Sequence, residues 1–133
     1  MTLVIDASAL LFASTRSTAP ARDLLARLGS EDVHAPHLID AEVGNALRRM
    51  AARGEIDPRL ARTLLHSCPL LVDVRHDHLG GLARFAWSLR DNLTFYDALY
   101  VALAAGLRAP LVTADRRLAA APDLPCSTML VRA

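Results

Sequence analysis

The chain has 133 residues, 53% of them hydrophobic, and a formal net charge of +1 at pH 7. That suffices for one domain burying about two-thirds of its unfolded surface and is too short for two typical domains; the apolar content argues against disorder, and the charge is not the footprint of a protein that wraps nucleic acid. All 15 basic residues are arginine, which excludes a P-loop and its lysine and weighs against a phosphorelay receiver.

In chain order, Leu3-Val4-Ile5 reads as a buried strand closed by Asp6, and Ala7-Ser8-Ala9-Leu10-Leu11 leads a helix over Ser8 to Ser14. A helix over Ala21 to Leu28, leaving at Gly29, precedes a strand over Val33 to Ala35. The helical stretch Leu38 to Arg53 leaves at Gly54, and counting from Asp40 it puts Glu42 in a first turn. Next come a helix over Pro58 to His66, a strand over Leu70 to Val74 and a helix over Leu79 to Arg90. The helix Tyr96 to Leu107 is apolar nearly all round from Ala98 to Ala105 and should be the most buried, with Ala109-Pro110 as its exit. Leu111 to Thr113 is a strand that runs through Asp115 into helix-prone Arg116-Arg117-Leu118-Ala119, and Thr128 to Val131 is the last strand. Strands alternating with helices predict an α/β domain with a mostly parallel sheet of about five strands. No repeat or linker divides the chain, so residues 1–133 are read as a single domain.

Four carboxylates stand out: Asp6 and Asp115 at carboxyl ends of strands, Glu42 and Asp97 near amino ends of helices. Those ends share one edge of a parallel sheet, where ligands bind. Each acid alone has a simpler role, since Asp6 and Asp115 suit N-caps and Thr94-Phe95-Tyr96-Asp97 fits a capping box. Together they ask for more, because two carboxylates about 4 Å apart repel by roughly 4 kcal/mol at an effective dielectric near 20. A cluster of this kind calls for a cation or a shared proton. Oxygen-only donors favour Mg²⁺ or Mn²⁺ over Zn²⁺. Cys68 and Cys126 lack the spacing of a zinc or redox pair and read as free thiols, and the pairs His34/His37 and His76/His78 lack partnering cysteines. The longest apolar stretch is about half a membrane span, and no leader is recognisable, so a soluble, cytoplasmic protein is expected.

These pieces resemble a known family. Val4-Ile5-Asp6-Ala7-Ser8-Ala9-Leu10, then Asp40-Ala41-Glu42-Val43-Gly44-Asn45-Ala46-Leu47, then Thr94-Phe95-Tyr96-Asp97-Ala98-Leu99-Tyr100-Val101-Ala102-Leu103-Ala104, and Val112-Thr113-Ala114-Asp115-Arg116-Arg117-Leu118 are similar in kind and order to the PIN-domain ribonucleases, most of all the VapC-type toxins. The resemblance implies a three-layer α/β/α PIN fold. It implies that Asp6, Glu42, Asp97 and Asp115 hold Mg²⁺ or Mn²⁺ for RNA hydrolysis, with Ser8, Asn45 and Thr113 beside them. It also implies a VapB-like antitoxin as partner and a homodimer. Two ions would balance four carboxylates and one would leave minus two. Arg48, Arg49, Arg116 and Arg117 follow the acids closely enough to contact RNA phosphates, while 5% aromatic content argues against a broad base-stacking platform. The competing readings are a PIN-like domain that binds RNA or protein without turnover, and a receiver-like regulatory domain.

Overall fold

The computed structural model describes residues 1–132. Five strands, β1 (Thr2–Ile5), β2 (Asp32–Pro36), β3 (Val74–His76), β4 (Leu111–Thr113) and β5 (Thr128–Leu130), pair in parallel throughout, in the order β3-β2-β1-β4-β5. Helices α1 (Ala7–Thr15), α2 (Ala19–Ser30), α3 (Leu38–Ala52), α4 (Pro58–Ser67), α5 (Gly81–Ser88), α6 (Phe95–Leu107) and α7 (Arg116–Ala119) fill the connections. Right-handed crossovers place α1 to α4 on one face and α5 to α7 on the other. The expected three-layer architecture follows.

The sheet is buried where it has to be. Leu3, Val4 and Ile5 of β1 are fully inaccessible, as are Val33, Leu111 and Val112 of its neighbours, which is why these strands read as continuous apolar runs rather than alternating ones. Burying each such side chain contributes about 1.5–3 kcal/mol. In α6 every residue from Ala98 to Ala104 is buried, as its apolar composition predicts. That helix packs on β1, β2 and β4 and against α5.

The strand order reverses between β1 and β4. The chain leaves β1 toward β2 over one face and returns to β4 over the other, so the connections diverge and open a crevice at the carboxyl ends of β1 and β4. Asp6 and Asp115 flank that crevice.

Several boundaries differ from expectation. The segment expected as a strand over Leu70 to Val74 is a 3₁₀ turn, Cys68–Leu71, and the strand starts at Val74. Pro69 removes a ladder donor and fixes φ, so pairing with β2 begins only at Asp73, whose N–H donates to Val33 O and whose carboxylate accepts from Val33 N. The helix expected over Leu79 to Arg90 is confined to Gly81–Ser88, because Gly80 takes φ +77° and Leu79 belongs to a turn closed by Asp77. Gly29 lies within α2 rather than ending it, whereas Gly54, at φ +71°, does end α3. The exit from α6 is made by Arg108 at φ +53°, ahead of Ala109-Pro110. Helix α3 begins at Leu38, whose N–H donates to His78 Nε2 at 3.0 Å, and this puts Glu42 in the second turn. Asp40 is turned outward into a two-pronged pair with Arg75, at 2.6 and 2.9 Å.

Candidate active site

Asp6 is the most deeply placed acid, 6% exposed. It caps α1 by accepting from Ala9 N at 2.9 Å; its Oδ1 also accepts from the Ser8 hydroxyl at 2.6 Å and its Oδ2 from the Thr113 hydroxyl. Ser8 is the pivot of a small network, since its oxygen accepts from Ala114 N at 2.9 Å and lies 3.3 Å from the Thr113 oxygen. The ends of β1 and β4 are thereby stitched together through side chains. Burial pushes the Asp6 carboxyl above the usual carboxylate range, the Ser8 and Thr113 bonds pull it back, and Asp115 pushes it further up.

The other acids come from three more elements. Asp115 caps α7, its Oδ1 accepting from Arg117 N at 2.9 Å and Leu118 N at 3.4 Å. Asp97 occupies the third position of α6, its N–H bonded at 3.2 Å to the capping hydroxyl of Thr94. Burial raises its carboxyl, as does Asp115, while Thr94 and Arg117 oppose the shift. Glu42 is raised by burial and by the charges of Asp6 and Asp97, and lowered by the Tyr100 hydroxyl, which donates to its Oε1 at 2.6 Å. Capping and clustering are thus compatible: the bonds that cap α1 and α7 fix the carboxylates at the crevice.

All four acids line one cavity of about 410 Å³, together with Ser8, Leu11, Ala46, Arg49, Tyr100 and Arg117. As placed they stand apart on its walls, and among the described residues no three His, Cys, Asp or Glu side chains close around one point. The donor chemistry nevertheless fits a hard divalent cation: every ligating atom on offer is an oxygen. The nearest cationic group, Arg117 Nε, is 3.9 Å from Asp115 Oδ1 on a side chain 92% exposed, so the cluster is left largely unneutralised.

Thr113 lies behind Asp6 rather than on the cavity wall, and three other expected neighbours neither line the cavity nor bond to its acids. Glu42, Ala46 and Arg49 recur at four and seven residues and share a helix face, whereas Arg48, about 100° further round, lines a groove between α3 and α4. Asn45 is exposed, with Oδ1 accepting from Arg48 Nε at 3.2 Å. Arg116 is exposed and lines none of the cavities around the acids. Conversely Tyr100, 2% exposed, is a site residue not singled out from the sequence. Its signal was there: three residues after Asp97 on an otherwise apolar helix, a buried phenol must find an acceptor on the face that carries the acid. The paired histidines meet at the β2–β3 edge, His34 Nδ1 lying 2.8 Å from His76 Nε2, without a third ligand among the described residues. Cys68 and Cys126 are free thiols.

Comparison with known proteins places the fold. The PIN-domain family matches residues 3–124, nearly the whole chain. The chain belongs to that family, in its VapC-type branch. It is 50% identical to Ribonuclease VapC1 of Mycobacterium tuberculosis over 97% of both chains, and 40% identical to Ribonuclease VapC9 of that organism over 97% of this chain and 98% of the relative. Among solved structures it is similar to PAE2754 from Pyrobaculum aerophilum, with a TM-score of 0.73, 29% identity and coverage of 96% and 89%. The fold also matches VapBC2 from Rickettsia felis, determined bound to a DNA fragment from their promoter, with a TM-score of 0.74 at 12% identity over 99% and 100% of the two chains. No helix among the described residues is long and apolar enough to cross a membrane.

Proposed function

We propose that this PIN domain is a divalent-cation-dependent endoribonuclease and the toxin of a toxin–antitoxin pair. The observation that carries the reading is the convergence of Asp6, Glu42, Asp97 and Asp115 on one cavity at the point where the strand order reverses. The relatives named as ribonucleases, at 40–50% identity over nearly full length, support the substrate class. Asp6 and Asp97 would ligate Mg²⁺ or Mn²⁺ directly, with Glu42 and Asp115 completing the set directly or through water. A cation held there supplies Lewis acidity toward a phosphate oxygen and makes water easier to deprotonate.

The protein's own contribution is orientation and charge. Ser8, Thr113 and Ala9 N–H hold both oxygens of Asp6, so that carboxylate needs little reordering when substrate arrives. Tyr100 holds one oxygen of Glu42, so that carboxylate too is oriented at the wall of the cavity. Arg49 and Arg117 on the rim bind the phosphates that flank the scissile one. The surplus negative charge suits a cationic inhibitor as well: a VapB-like antitoxin placing a guanidinium among the carboxylates would silence the site. A homodimer in the cytoplasm is the working assembly under this reading.

The test is cleavage of labelled RNA by the purified chain and by Asp6→Asn and Asp97→Asn variants, with Mg²⁺, Mn²⁺ or EDTA. Loss of cleavage in both variants and in chelator is expected. Full activity of Asp97→Asn, in protein free of contaminating nuclease, would sink the assignment. Coexpression with the gene immediately upstream, followed by a growth assay and light scattering, tests partner and assembly; a monomer equally toxic with and without that neighbour contradicts both.

A further inference from the structure

The acidic cavity has neighbours on two sides. On one it shares Ser8 and Leu11 with a second cavity of about 260 Å³ that runs beside α1 as far as Arg16. On the other it shares Asp97, Asp115 and Arg117 with a third, of about 190 Å³, bounded by Asn92 and Thr94 ahead of α6. The three adjoin through these shared walls, with the carboxylates at the middle. A blind pocket would take a strand end or a mononucleotide, whereas a trough open both ways takes the interior of a chain.

At the α1 end the guanidinium of Arg16 lies 5.9 Å from the centroid of the Phe12 ring. Phe12 is 8% exposed, so its ring is a fixed platform under an otherwise mobile side chain. Arg16 makes no ion pair among the described residues; the one acid lining that cavity, Glu55, lies within 3.9 Å of Arg53. Its role as a cation just past the end of α1 would be met by any orientation, and lying over Phe12 at the wall of a cavity is a more specific placement. From Ser8 to Arg16 is eight helical residues, about 12 Å at 1.5 Å each. A stacked strand advances about 3.4 Å per nucleotide and an extended one roughly twice that, which puts Arg16 about two to four nucleotides from the acids.

We infer that the three cavities form one trough, the track of a single-stranded RNA, and that Arg16, lying over Phe12, is a phosphate-binding subsite two to four nucleotides from the scissile bond. The inference rests on the ribonuclease reading and adds a direction and a length requirement to it: productive substrates extend past the acids along α1. Planar guanidinium suits this task, because it stacks on an aromatic face while its edge donates two hydrogen bonds to a phosphate.

The experiment is binding of a fluorescein-labelled single-stranded RNA of about twelve nucleotides, within the usual footprint of single-strand sites, to the full-length Asp97→Asn protein by anisotropy across a salt series. Arg16→Ala in that background should weaken binding about three- to tenfold and lower the slope of log affinity against log salt by about 0.7, the loss of one phosphate contact. Arg62→Ala, the same change of charge in the groove between α3 and α4, should leave the slope alone. Equal effects of the two substitutions would mean a diffuse field, not a subsite, and overturn the inference. So would unchanged RNA affinity in Arg16→Ala accompanied by weaker capture of the coexpressed upstream antitoxin, which would assign the surface to a protein partner. If Asp97→Asn binds no strand at any salt and the wild type cleaves none, the ribonuclease reading itself fails and the track with it.

Discussion

Replacing Tyr100 by Phe removes one oxygen and little volume, so its effect isolates the bond to Glu42 Oε1 at 2.6 Å. That bond joins α6, on one face of the sheet, to α3 on the other. A hydrogen bond to a charged group is worth about 1.5–3 kcal/mol, and Glu42 is only partly buried, so water can replace the phenol at that oxygen and the lower end applies. The phenyl ring meets no unsatisfied polar partner of its own, because the phenol is the only polar atom of a side chain 2% exposed. A loss of about 1.5 kcal/mol is expected, which for a domain of this size lowers the melting temperature by roughly 5 °C. The carboxylate would also lose its orientation, and outer partners of metal ligands typically contribute 10- to 100-fold to metal affinity; Mn²⁺ binding followed by calorimetry should weaken at least about tenfold under the proposed function. A double-mutant cycle with Glu42→Gln separates the pair from its surroundings. Melting within about 0.5 kcal/mol of wild type, together with unchanged Mn²⁺ affinity, would refute the claim that this bond holds Glu42 in place.

Three further outcomes follow from the charge of the cluster. Asp97→Asn should abolish RNA cleavage yet leave the metal-free protein as stable as wild type or more so, by less than about 1 kcal/mol once solvent screening of a half-exposed group is allowed for; a strongly lowered melting temperature would mean that Asp97 is structural. Divalent cation should raise the melting temperature in a saturable way by binding only the folded state, with Mg²⁺ or Mn²⁺ effective and EDTA reversing it; a melting temperature indifferent to both ions would count against a metal site. The carboxyls of Asp6, Glu42 and Asp97 are raised in the native state, chiefly by burial. Between the ordinary carboxyl range and those raised values the native state binds more protons than the unfolded chain, so their contribution to stability is full at low pH and is lost as pH rises through the native values. Metal-free melting temperatures should therefore fall on going from about pH 4 to neutrality, with a shallower fall in Asp97→Asn; a steady climb over that range would overturn the sign.

The sheet was legible because four of its strands coincide with apolar runs bounded by turn or capping residues, and the site because each strand that ends in an acid hands over to a helix that the same acid caps. What the sequence concealed is equally physical. Helical phase decides which of two adjacent arginines faces a site, and Arg49 falls on the face of Glu42 while Arg48 does not. A strand count based on hydrophobicity alone could not see that Pro69 turns Leu70, 81% exposed, away from the sheet and delays pairing to Asp73. Register across the crevice is the deeper case. Ser8 and Thr113 are 105 residues apart, yet their hydroxyls and the carboxylate of Asp6 form one network, because β1 and β4 are neighbours at the reversal of strand order. Local propensity places each of these residues at an element boundary, but only the topology makes those boundaries adjacent. The same adjacency sets the chemistry: Asp6, with both oxygens already bonded, is held for a ligand, while Glu42 and Asp115, each bonded through one oxygen only, keep the other free for a cation.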